Sequence, residues 1–207
     1  MRERAEVIRV NAGTLIALEG LDGCGKSTQI VDLVTHLAAA GRDVVATREP
    51  TDGPFGQKIR AMARSGDPIA PEEELRWFME DRAQHVDEVI QPALDAGRTV
   101  VTDRYFLSSV AYQGARGLDW REILRESEAR FPTPDVALLF EVEAAVGLAR
   151  VQARGGPLDP AFERLDFLER VAEIFRALDR PYVVRIDGTQ PPDDVAAATQ
   201  RALGLAE

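Results

Sequence analysis

Lysine is nearly missing from this sequence: Lys26 and Lys58 stand beside 23 arginines. A GC-rich coding bias accounts for most of the arginines, and it makes a retained lysine informative. A position that keeps Lys26 asks for a compact point charge rather than a planar fork. Cysteine is as scarce. Cys24 is alone, which excludes an intramolecular disulfide and a multi-cysteine metal site. With only His36 and His85 available, no Ser-His-Asp set is in view. No apolar run approaches the roughly 18 residues of a membrane span, and residues 1–10 alternate in charge without a signal-peptide core. The expectation is a cytoplasmic protein that makes no membrane contact. A net charge of −10 also argues against nucleic acid as a partner.

What is present is ordinary globular material, 45% hydrophobic and 29% charged over 207 residues. That length suits one domain, 1–207, able to bury about 70% of its unfolded surface without metal or disulfide staples. Apolar runs at 14–19, 43–47, 99–103, 135–140 and 182–186 read as strands. Helical periodicity fills 26–40, 54–64, 71–90, 107–114, 119–130, 143–154, 162–178 and a last stretch from Pro192. Pro92 is expected to disturb the end of the helix that starts at Pro71. Strand alternating with helix implies an α/β fold, a five-stranded parallel sheet flanked by helices. Residues 154–161, around Gly155-Gly156-Pro157, read as a short lid.

The first strand runs into Gly20-Leu21-Asp22-Gly23-Cys24-Gly25-Lys26-Ser27, followed by Thr28. This is G-x-x-x-x-G-K-S with strand before and helix after, the context a P-loop requires. Its glycines let backbone N–H groups converge on phosphate oxygens, and the helix N-terminus adds partial positive charge. Lys26 is placed to reach the β- and γ-phosphates of a nucleoside triphosphate, and the Ser27 hydroxyl to hold Mg²⁺. Asp103 closes an apolar strand as a second carboxylate near that metal.

Further segments carry a family likeness: Arg48-Glu49-Pro50, residues 81–86 (DRAQHV), residues 90–94 (IQPAL), Asp103-Arg104-Tyr105, residues 108–114 (SSVAYQG), and Arg150 with Arg154. With the P-loop, they make the chain resemble the bacterial thymidylate kinases, P-loop enzymes of the nucleoside monophosphate kinase group. The resemblance implies transfer of the γ-phosphoryl group of ATP to dTMP, and a homodimer. It implies that Arg48 and Arg104 grip the acceptor phosphate and that Asp22 contacts the sugar 3′-hydroxyl. Phe78 would stack on thymine, Arg82 and Ser109 would meet its polar edge, and Tyr112 would pack against C2′ with Gln113 nearby. Arg150 would bind ATP, and Asp187-Gly188-Thr189-Gln190, after the last strand, is placed by analogy of fold to line the adenine site. The chemistry suits these residues independently, because a monophosphate dianion is a nucleophile that needs no general base. Two polyanions that must meet in line need positive charge instead.

Some members of that family carry a basic residue where this chain has Gly23. Here the charge on the transferred group must come from elsewhere, with Arg154 the first candidate and Arg150 and Arg164 behind it. Cys24 reads as a small residue filling a turn, and His85 as a packed, hydrogen-bonded histidine. Trp77, Met79 and Glu80 depart from the family pattern. Glu80 should point about 200° away from Phe78, and Met79 belongs to the core or a subunit contact. A deoxynucleoside kinase would want a carboxylate base and no grip for an acceptor phosphate. A GTP switch would need an Asn/Thr-Lys-x-Asp motif, which neither lysine supplies. An inactive scaffold would not need Lys26, Ser27 and Asp103 together.

Overall fold

The computed structural model describes residues 13–67, 69–155, 162 and 164–205. Five strands, β1 (Leu15–Gly20), β2 (Val44–Arg48), β3 (Thr99–Asp103), β4 (Val136–Glu141) and β5 (Val183–Asp187), form one parallel sheet in the order β2-β3-β1-β4-β5. β1 is buried along its whole length and β4 nearly so, whereas β2 and β5 are half-covered edges. This explains why the central strands read as continuous apolar runs.

Alternate residues of the central strands feed two cores. Leu15, Ala17, Val100 and Leu139 pack on one face with α3 (Pro71–His85), α5 (Phe106–Ala115), α6 (Trp120–Arg130) and α8 (Leu165–Ala177). Ile16, Leu18, Val101 and Leu138 pack on the other with α1 (Lys26–Ala39) and α9 (Pro192–Ala202). Each such leucine, isoleucine or valine contributes about 1.5–3 kcal/mol on burial. Two further helices are α2 (Pro54–Ser65) and α7 (Ala144–Ala153). Asp119 caps α6 by accepting from the Arg121 amide at 2.9 Å. No helix among the described residues is long and apolar enough to cross a membrane.

Pro92 does not end its helix. After α3 the chain takes a five-residue π turn, Val86–Ile90, and continues as α4 (Gln91–Asp95). The Gln91 amide donates to the Val86 carbonyl, five residues back. Proline offers no N–H and its ring crowds the carbonyl four residues earlier; one widened turn accommodates both effects, and the axis carries on. Of the expected lid, residues 156–161 lie outside the described residues, and only Arg154 and Gly155 can be placed.

Candidate active site

The strand order reverses around β1, so its C-terminal end opens into the crevice where parallel α/β sheets bind ligands. The P-loop fills that crevice. Gly25 caps α1 with φ 104° and without a side-chain cap, which leaves the positive end of the helix facing outward. Gly23 has φ 79°, and a Cβ there would lie 2.1 Å from the carbonyl oxygen of Gly147 in α7. Loop and helix therefore touch backbone to backbone, and position 23 has no room for a basic side chain. Lys26 is buried, with Nζ donating to the carbonyls of Gly20 (3.0 Å) and Leu21 (2.9 Å). Arg150 ties the loop to the β5–α9 connection, donating to the carbonyls of Gly23 (3.4 Å) and Gly188 (3.0 Å).

A small cavity at this point is lined by Asp22, Gly23, Gly25, Lys26, Ser27, Thr28, Asp103, Arg104 and Arg154. Asp103 Oδ1 is buried there and has no hydrogen-bond partner among the described residues. No cluster of three metal-ligating side chains exists among the described residues. An unclaimed carboxylate oxygen near an exposed serine hydroxyl suits a hard divalent ion such as Mg²⁺, which draws most of its ligands from phosphate and water.

Arg104 is the one described non-glycine residue with positive φ, at 68°. Its backbone is pinned on both sides: its amide donates to the Leu18 carbonyl (2.9 Å) and its carbonyl accepts from the Thr102 hydroxyl (2.8 Å). Such over-determination holds a strained residue in place. The guanidinium donates to Asp22 (2.6 Å), the Gly20 carbonyl (3.1 Å) and Ser108 Oγ (3.1 Å), and lies over the Tyr112 ring at 5.3 Å. Burial pushes the Asp22 carboxyl up, but Arg104 and Lys26 outweigh it and hold the pKa at about 2.

Beside it opens a second cavity of about 180 Å³. Asp22, Arg104, Phe78, Arg82, Ser109, Tyr112 and Gln113 all line it. Arg82 is buried, donating to Glu49 through Nε (2.9 Å) and to Ser109 Oγ through a terminal nitrogen (2.9 Å). Its other terminal nitrogen meets only the Met79 sulfur, at 3.9 Å, among the described residues. The guanidinium is thus fixed in plane with one donor edge lightly used.

A thymidylate kinase family model matches residues 18–198. The chain belongs to the thymidylate kinase family. It is 45% identical over 185 residues to the thymidylate kinase of Desulfotalea psychrophila, covering 89% of this chain and 91% of that one. To that of Xanthomonas euvesicatoria it is 48% identical over 183 residues, 88% and 80% of the two chains. To that of Xylella fastidiosa strain M12 it is 42% identical over 196 residues, 95% and 88%.

Within this family fold, the expected acceptor residues Asp22, Phe78, Arg82, Arg104, Ser109, Tyr112 and Gln113 come together, but Arg48 stands elsewhere. Its exposed guanidinium pairs with Asp52 at 3.0 Å. Arg60, from α2, lines the second cavity instead, tied to the Pro50 carbonyl and to Asp52, both at 3.0 Å. Arg154 faces the P-loop cavity, whereas Arg164 pairs with Asp166 on the surface. Gln190 donates to Asp187 at 2.8 Å. Cys24 is buried with its sulfur 3.6 Å from Lys26 Nζ. Glu80 meets Arg130 at 3.2 Å, away from the cavity, and Met79 is core. Trp77 is half-buried, its indole N–H donating to Glu73 at 2.7 Å.

Two carboxylates escaped the sequence reading. Glu49 grips Arg82 and, at 3.0 Å, His85, whose other ring nitrogen meets Thr47 at 2.7 Å. Glu19, wholly buried at the end of β1, accepts from the amides of Tyr105 (3.0 Å) and Ser108 (3.2 Å) and from Ser108 Oγ (2.5 Å). Burial raises its pKa to about 7, against the pull of Ser108, Arg104, Arg82 and Lys26. The only signal in the sequence was an acidic residue ending an otherwise apolar strand.

Proposed function

We propose that the protein transfers the γ-phosphoryl group of ATP to dTMP, giving dTDP and ADP, with the donor phosphates in the P-loop cavity and the acceptor in the neighbouring one. The observation that carries this is that Asp22 and Arg104 line both cavities. A group held in one therefore meets a group held in the other across a shared wall of fixed charge. The acceptor dianion attacks without a base, so the work is positioning and neutralisation.

Lys26 exchanges its loop carbonyls for phosphate oxygens, and the open end of α1 receives the β-phosphate. Arg104 and Arg60 hold the acceptor phosphate, while Arg154 brings charge to the transferred group, which Gly23 cannot. Phe78 and the lightly used edge of Arg82 receive the base. Ser27 and Asp103 would hold Mg²⁺, which supplies charge neutralisation between the β- and γ-phosphates when bound. Arg150, which ties the loop to Gly188, binds ATP, and Gln190 lines the adenine site.

We also read the enzyme as a cytoplasmic homodimer, the hollow between α2 and α3 lined by Ala61, Met62, Ile69 and Trp77 being the contact face. Light scattering tests the dimer. The function is tested by ADP release across a panel of acceptors. Turnover is expected with dTMP and not with thymidine; consumption of thymidine would indicate a nucleoside kinase.

A further inference from the structure

The second cavity has a wall that no sequence motif announced. Phe162 lines it and meets Tyr112 edge-on, ring centroids 5.9 Å apart. The guanidinium of Arg116, the residue that ends α5, lies 5.6 Å from the Phe162 centroid and 6.0 Å from that of Phe167. A terminal nitrogen of the same group sits 2.6 Å from Glu74 Oε2 on α3, off the hydrogen-bonding line. Glu74 is fully buried, and its other oxygen accepts from Gln113 Nε2 at 2.9 Å. Gln113 is itself buried and lines the cavity. A chain of contacts thus runs from a buried carboxylate, through a guanidinium, to an aromatic ring at the acceptor.

The Arg116 side chain is 22% exposed and only Glu74 is fully buried; an ion pair with a buried member is a poor way to gain stability, since packed apolar residues of equal volume do as well. Burial pushes the Glu74 carboxyl up, against the pull of Gln113 and Arg116. What the pair does supply is orientation. A guanidinium is rigid and planar, so the ion-pair contact of one terminal nitrogen with Glu74 restrains the face it turns to the rings. A cation over an aromatic face attracts it more strongly as water is excluded, and Phe162 also has ring contacts with Tyr112 and Phe167 within the core cluster it packs against.

We propose that Arg116, anchored by Glu74, is a positioning residue that holds Phe162 as a wall of the acceptor cavity and so sets the affinity for the nucleoside part of the monophosphate. This rests on the reading of that cavity as the acceptor site. Arg116 lines neither of the two cavities, so its removal should move acceptor binding and leave the phosphoryl-transfer step alone.

The test is steady-state kinetics of Arg116→Met, Arg116→Lys, Phe162→Ala and the double variant Arg116→Met/Phe162→Ala, with Phe78→Ala as control for the cavity. Arg116→Met is expected to raise the dTMP KM about fivefold, with kcat and the ATP KM within about twofold. Arg116→Lys keeps a charge for Glu74 but loses the flat face. It should fold normally and show the same rise, and it carries the test if the methionine variant unfolds. In the Phe162→Ala background, Arg116→Met should add nothing. An unchanged dTMP KM in Arg116→Lys, a fully additive double variant, or a loss confined to kcat overturns the inference. If Phe78→Ala raises the KM and the Arg116 variants do not, the inference fails alone; if Phe78→Ala also leaves it unchanged, the acceptor assignment fails with it.

Discussion

Replacing Gly23 with alanine adds one methyl group to the tightest place in the P-loop. The backbone there has φ 79°, and the new carbon would sit 2.1 Å from the Gly147 carbonyl oxygen and 2.8 Å from its carbon. Both obstacles are backbone, so no side-chain rotation relieves them. A left-handed conformation costs an L-residue about 1–2 kcal/mol, and forcing a methyl into a filled space typically costs about 1–3 kcal/mol more. The loop can escape only by moving away from α7, which would pull Gly23 and Arg150 apart, since Arg150 donates to the Gly23 carbonyl. Gly23→Ala is therefore expected to lose about 3 kcal/mol, lowering Tm by about 6–12 °C for a chain of this size. The ATP KM should rise and kcat fall together. Thermal unfolding with and without ATP, beside an ADP-release assay, measures all three. A variant with wild-type Tm and turnover would refute the argument that α7 and the loop are in backbone contact, and with it the reason given for Gly23.

Arg154→Ala should lower kcat by about 10³ while the dTMP KM changes little; a loss in ATP affinity alone would make Arg154 a ground-state phosphate contact. Tyr112→Phe removes only a 3.4 Å contact to Asp22 and should leave turnover nearly intact. Tyr112→Ala removes the ring beneath Arg104 and beside Phe162, and should relax the preference for dTMP over its ribose analogue; an unchanged ratio would take Tyr112 out of the site. Glu19 binds its proton more tightly folded, at a pKa of about 7, than unfolded, near 4.5. Its contribution to stability is then fully present below pH 4.5 and falls as pH rises to 7. A shift of that size is worth about 3 kcal/mol. Urea titrations should show wild type losing that much relative to Glu19→Gln between pH 4.5 and 7.5, and parallel curves would refute the assignment.

The strands were legible to within a residue or so because each carries a short apolar run of two to five residues, too short for a helix and rich in β-branched side chains. The P-loop was legible because its glycines, Lys26 and Ser27 are fixed by what a polyphosphate requires. Pro92 misled because its effect is local: a proline that lacks one donor can be absorbed by one wider turn. Arg60 was invisible because it is one of 23 arginines on an amphipathic helix, and nothing local distinguishes it from Lys58 or Arg64. Arg48 sits beside a strand end and so looked better placed, but an acidic neighbour four residues on claims its charge. Glu19, Glu49 and Glu74 share another difficulty. A buried carboxylate is read from its partners, and those partners lie 30 to 90 positions away in the chain.

The π turn at Val86–Ile90 amounts to one extra residue spliced into a helical ladder. Upstream of it Phe78 and Arg82 line the cavity; at its last residue and beyond, Ile90 and Ala93 pack in the core. Winding that stretch as an ordinary α-helix with every residue kept would instead put the two halves out of phase by about 100° from their present relation. With Ile90 and Ala93 locked in the core, the upstream half would turn, swinging Arg82 off Glu49. The spliced residue acts as a phase adjuster: it lets one continuous rod satisfy the hydrophobic layer at one end and a binding pocket at the other, although the two ask for incompatible rotations.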